Sequence, residues 1–163
     1  MRLARPSDRW STRHAVWLIA STVDAKQIPV EAFLLERATL DKYLIIGLGG
    51  FLGANLRYVV GGWAAEKWGA SFPFGTLLIN VSGSFVLGVF LAAVTGRLSI
   101  DPRWRLFFAI GFLGAYTTFS TYTYETMQLV LAGGWWPGVL NLALSNLLGL
   151  GASLLGLAVG RSF

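Results

Sequence analysis

Cysteine is absent from the 163 residues, and histidine occurs once, at position 14. Disulfides and thiolate chemistry are therefore excluded, and His14 with scattered carboxylates builds no recognisable zinc site. Charge is also scarce: 13% of residues are charged against 55% hydrophobic, and the mean hydropathy is +0.60. Soluble domains sit far from these values. The chain shows no internal repeat and leaves little length outside its apolar runs for a separate soluble domain. Nucleophile, base and metal-ligand combinations are missing, which makes a membrane enzyme the least favoured class.

What remains is apolar sequence in long runs, at about residues 43 to 63, 73 to 95, 106 to 131 and 135 to 160. Each meets the ~20 residues that a bilayer core demands of a helix. The runs are continuous, whereas barrel strands would be about ten residues long and would alternate strictly. The expectation is an all-α membrane protein with four transmembrane helices. Trp63, Trp68, Trp104, Trp135 and Trp136 fall near the expected helix ends, where aromatic rings anchor at the interface.

Residues 1 to 39 differ in composition from everything after them, mixing Arg, Ser and Thr with short apolar pieces. A targeting peptide or basic amphipathic arm is one reading, but AVWLIA is short for a signal core. The favoured expectation is a leader without function, an over-extended gene start ahead of Leu40, with the four-helix membrane part over 40 to 163. Lys42, Arg97, Arg103, Arg105 and Arg161 fall on one side of the membrane, whereas Lys67 sits in the other loops and Arg57 lies near a helix end. By the positive-inside rule both termini are cytoplasmic.

Polar residues within the spans carry the information, because hydrocarbon penalises each one unless it finds a partner or lines water. Thr76, Asn80 and Ser84 recur at i, i+4 and i+8, which stacks them on one helix face. Asn141, Ser145 and Gly149 repeat that spacing in the last run. Interhelical hydrogen bonding, with close packing at Gly83 and Gly88, competes with pore lining as the explanation. In FLGAYTTFSTYTYE, residues 112 to 125, glycines and hydroxyls weaken a helix at mid-span. A broken helix and an unbroken one packed through small residues are equally consistent with this composition. Glu125 closes the stretch as an intramembrane carboxyl.

Three pieces, GGFLGANLRY at 49 to 58, GTLLINVSGSFVLG at 75 to 88 and GFLGAYTTFSTYTYE at 111 to 125, resemble the Fluc (CrcB) fluoride channels of bacteria. The resemblance runs from about residue 41 to the end and has no counterpart for the leader. It implies a fluoride-selective, passive channel in the bacterial inner membrane that relieves fluoride toxicity. It also implies a third helix broken at mid-span and an antiparallel, dual-topology homodimer with a central structural sodium ion. Fluoride is small and strongly hydrated, so such a pore must replace its water with many donors.

By the same resemblance the anion pathway takes in Asn80, Phe119, Tyr122 and Ser145, with Thr76, Ser84 and Asn141 on the polar stripes. Phe119 matches the first phenylalanine of the family pattern, whose ring edge can face an anion. Tyr122 departs from the second by an added hydroxyl, Asn141 replaces an aromatic hydroxyl, and Gly149 replaces a serine. The sodium would be held by the backbone carbonyls of Gly114 and Thr117, hard oxygen donors suited to it. Arg57 is implied as a vestibule attractor, against a snorkelling anchor. Glu125 is either a functional carboxyl or a buried group, neutral or paired with Arg57. The bias of basic loops departs from the balance that dual topology expects. Two other classes stay open: a proton-coupled small-ion exporter using Glu125, and a non-transporting assembly subunit.

Overall fold

A computed structural model describes residues 30–96 and 100–162, and every regular element among them is helical. Expectations resting on residues 1–29, including His14, and on Arg97 lie outside the described residues. In chain order the elements are α1 (Val30–Trp68), α2 (Phe74–Gly96), α3 (Pro102–Trp104), π1 (Arg105–Leu113), α4 (Gly114–Tyr116), α5 (Phe119–Leu131) and α6 (Trp135–Gly160). Because α1 starts at Val30, residues 30 to 39 of the expected leader are helical.

Three of these helices are long and apolar enough to cross a membrane: Thr39–Trp68, Phe74–Thr95 and Trp135–Gly160. The remaining expected span, at about 106 to 131, is not one helix. It is a wide π segment, a single α turn, two extended residues and then α5. The ends of the elements follow local chemistry. Gly69 stops α1 at φ 77°, a left-handed conformation that glycine adopts without steric cost, with its N–H returned to the Ala65 carbonyl at 2.9 Å. Asp101 caps α3 by accepting from the Arg103 N–H at 2.8 Å, with Pro102 at the first helical position. Beside the α1 terminus, the Lys67 ammonium lies 5.0 Å from the Trp63 ring centre and 5.4 Å from that of Trp68. This is the amphipathic cluster expected where a helix leaves lipid.

Asp41–Phe163 form one compact unit, and all the packing described below lies within it. Lipid supplies little hydrophobic drive between helices, so they associate through close approach and polar contacts. Along α2 and α6 the close approach is made by glycine. A Cβ at Gly88 would stand 2.7 Å from the Ser153 carbonyl oxygen, and one at Gly156 or Gly160 would collide with the carbonyl oxygens of Phe85 or Val89. Gly49 and Gly53 do the same for α1 against π1, where a Cβ would collide with the carbonyls of Phe107 and Phe112. Phe108, Phe112 and Tyr116 stack along the chain with centroids 5.4 and 6.2 Å apart, and Ile79, Leu113 and Tyr116 make the buried core. Elsewhere the surface is apolar. Leu147, Leu150 and Leu154 form an exposed stripe on α6, as a lipid-facing helix requires.

Candidate functional site: a polar cavity at the helix break

The break sits at two residues. Thr117 has ψ 157° and Thr118 has φ −150° and ψ 120°, so both are extended between helical neighbours. Exposed backbone at this depth would cost several kcal/mol per unsatisfied group. Asn80 on α2 satisfies it from the side. Its Oδ1 accepts from the Thr118 N–H at 2.9 Å, and its Nδ2 donates to the Thr118 carbonyl at 3.0 Å. A primary amide is suited to this double contact because it offers a donor and an acceptor side by side. Thr118 then caps α5, its Oγ1 accepting from the Thr121 N–H at 3.3 Å.

These diversions release two carbonyls. In an unbroken helix the Thr118 N–H would bond Gly114 and the Thr121 N–H would bond Thr117. Here the first goes to Asn80 and the second to the Thr118 hydroxyl. The carbonyls of Gly114 and Thr117 are thereby freed at the negative end of one half-helix, while α5 presents its positive end and first N–H groups to the same region.

A cavity of about 270 Å³ opens at this point, lined among others by Asn80, Ser84, Thr117, Phe119, Tyr122 and Ser145. Those six residues were all selected by sequence. Phe119 is 77% exposed and Tyr122 is buried, their ring centres 5.8 Å apart. A second cavity, about 640 Å³, lies on the other side of Thr118 and gathers Arg57, Thr76 and Glu125. The stripe of Thr76, Asn80 and Ser84 therefore passes from one cavity to the other, with the Asn80–Thr118 clasp between them. Thr76 donates to Glu125 Oε1 at 3.0 Å, and Glu125 Oε2 is buried without a partner. Among the described residues no ion pair joins Arg57 to Glu125, so the paired reading of these two is not what forms.

Two expected members of the site stand apart from it. Asn141 is 1% exposed, donates to the Thr126 hydroxyl at 2.7 Å and lines neither cavity. Gly149 is not among the residues that line the first cavity, and a Cβ there would stand 3.9 Å from Ser84 Oγ. Conversely, Asn146 lines the first cavity and was overlooked, because it falls one residue off the i, i+4 stripe of the last helix. The signal was its chemistry: an amide within a span is costly without a partner.

Residues 44–157 match the profile of the family described as CrcB-like protein, Camphor Resistance (CrcB). The chain belongs to the CrcB family. Its curated relatives include a protein of Koribacter versatilis, 50% identical over 123 residues that cover 76% of this chain and 98% of that protein. Another, from Sulfurihydrogenibium sp., is 44% identical over 122 residues, 75% of this chain and 98% of its own. One from Acidobacterium capsulatum is 46% identical over 120 residues, 74% and 96% respectively. Each of the three is named "Fluoride-specific ion channel FluC". In this CrcB chain three apolar helices of membrane-spanning length accompany the broken segment, whose cavity is lined by amide, hydroxyl and aromatic side chains.

Proposed function

We propose that this chain is the subunit of a fluoride channel that lets fluoride leave the cell passively across the bacterial inner membrane. The observation that carries the reading is the cavity at the break. It joins the positive end of α5 to amide, hydroxyl and ring-edge groups and has no Lys or Arg among its lining residues. Donors without a fixed cation replace the hydration of a small anion yet let it go, which is the balance that conduction needs. Asn80 keeps one amide N–H beyond the one given to Thr118. Arg57, in the wider cavity, would raise the local concentration of anions from outside the narrow path.

In this reading the pieces from Pro102 to Leu131 together make the third of four crossings, and two copies pair in opposite orientations. The exposed Phe119, and a site open along one side of a single chain, support a second copy that completes the wall. The carbonyls of Gly114 and Thr117, released by the break, are the donors that would hold a sodium ion between the copies. A bound sodium would supply positive charge that neutralises the carbonyl ends and ties the two breaks together. Replacing sodium by a large organic cation should then weaken the dimer.

The second reading, a proton-coupled exporter, is favoured by one feature only, the unpartnered Oε2 of Glu125 against the wider cavity. Fluoride efflux from liposomes that contain this protein alone separates the two. A passive channel passes fluoride with the pH gradient collapsed and excludes chloride. Flux that vanishes with the gradient would assign the exporter, and no flux at all would leave an assembly subunit.

A further inference from the structure

Asn146 fixes the direction of a hydrogen bond to Tyr122. Its Nδ2 lies 2.7 Å from the Leu142 carbonyl oxygen and 2.9 Å from the Tyr122 hydroxyl oxygen. The atom beside a carbonyl oxygen at that distance must be the nitrogen, since the flipped amide would press oxygen against oxygen. Both amide protons are then used, one on Leu142 and one on Tyr122, so Asn146 has no donor left for an ion. Tyr122 is in turn compelled to accept. Its own hydroxyl proton has no acceptor among the described residues, although the side chain is buried and lines the cavity next to Asn80, Ser84 and Ser145.

We propose that the Tyr122 hydroxyl donates to the permeating anion and that Asn146 is the positioning residue that turns it that way. This rests on the channel reading above and adds a specificity element to it. A phenol O–H is a directional donor and becomes a better one when its oxygen already accepts a bond. Small anions of high charge density gain most from such a donor, because they are the ones that lose most on leaving water. The ring edge of Phe119, 5.8 Å away between centroids, would then act beside a true hydrogen bond instead of a second ring edge.

Fluoride and chloride efflux from liposomes containing the full-length protein tests this, with Tyr122→Phe, Asn146→Leu and the double variant, each checked for folded yield. Tyr122→Phe should lower fluoride efflux about tenfold, the loss of one hydrogen bond to an ion. Asn146→Leu should lower it by a similar factor, and the double variant should be no worse than Tyr122→Phe, because both act through one hydroxyl. The tyrosine doublet in the Raman difference spectrum of wild type minus Tyr122→Phe gives an independent readout. It should report an accepting phenol oxygen without fluoride and a phenol that also donates when fluoride is added. Wild-type flux from Tyr122→Phe, additive losses in the double variant, or a doublet unchanged by fluoride would each overturn the proposal. Wild-type protein that moves no fluoride would instead overturn the channel reading beneath it.

Discussion

The α2–α6 pair and the segment from Pro102 to Leu131 meet the same membrane problem in opposite ways. Along α2 and α6 the backbone runs as uninterrupted α-helix, and the helices approach until a Cβ at Gly88, Gly156 or Gly160 would meet the neighbouring backbone. Around Thr117 and Thr118 the backbone leaves its helix, and side chains, Asn80 of α2 and Thr118 itself, take over its hydrogen bonds. The first arrangement gives rigidity and leaves no polar group over. The second leaves carbonyls, N–H groups and a cavity beside the break, where the side chains of Asn80, Ser84, Tyr122 and Ser145 collect. The rigid pair is what makes the irregular segment affordable, since α2 carries both the glycine seam and the Asn80 clasp.

The comparison breaks most completely at the seam. Gly156→Val places a side chain against the Phe85 carbonyl and the Val89 backbone nitrogen, atoms that cannot rotate away. Overpacking of this kind against backbone should exceed the usual ~1–3 kcal/mol of a crowded core. We expect no folded protein in detergent, judged by size-exclusion profile, and hence no flux. A well-folded Gly156→Val protein would show that α2 and α6 do not meet as described.

Next in size is the clasp. Asn80→Ala leaves the N–H and the carbonyl of Thr118 without their partner, each costing about 1–3 kcal/mol when buried. Asn80→Asp keeps an acceptor for the N–H but sets an oxygen against the carbonyl, and brings negative charge to the cavity. Both should stop fluoride efflux, while thermal unfolding in detergent should place Asp between Ala and wild type if charge repulsion within the clasp is small. Equal unfolding temperatures for all three would show that Asn80 supports no backbone.

How much of this could be read from residues alone differs between the two regions. The apolar runs and the i, i+4 stripes are periodic, and periodicity survives in a sequence, so the helices and the placing of Asn80, Ser84 and Ser145 were legible. The weakness of the helix near Thr117 was legible too, as glycine and hydroxyl content, but a broken and an intact helix stayed balanced because the deciding partner, Asn80, is distant in the chain. That bond depends on how α2 packs against the segment, which no local pattern records. Asn141 shows how little spacing alone says about a partner. It shares the spacing of Ser145, yet its side chain turns to Thr126 and is spent inside the bundle.

That pair offers a smaller test. Thr126→Val keeps the shape of the side chain and removes the hydroxyl that receives the Asn141 amide, at a site where Asn141 is 1% exposed. The loss should be about 1–3 kcal/mol of stability, with fluoride efflux within about twofold of wild type once corrected for folded protein. The same kind of bond at Asn80 should cost flux entirely. If Thr126→Val abolishes flux in stable protein, the ion path extends to the buried side of α5 and the division between the two regions is drawn in the wrong place.

The smallest effect is expected where the regular pair borders the cavity. Gly149 lies on α6 facing α2, yet a Cβ there meets nothing closer than the Ser84 hydroxyl at 3.9 Å, unlike the collisions at Gly156 and Gly160 on the same helix. Gly149→Ser therefore has room within the chain. It removes the entropic cost of glycine inside a helix, roughly 0.5–1 kcal/mol, and sets a second hydroxyl beside Ser84 on the cavity side. Unfolding temperature should hold or rise slightly, and efflux should stay within about twofold, because the added hydroxyl extends a stripe whose other members already line the cavity. A sharp fall in flux with folding intact would mean that the space at Gly149 is filled in the working assembly, by a second copy or by the ion itself, and that this stretch of α6 belongs with the broken segment in function although it is regular in structure.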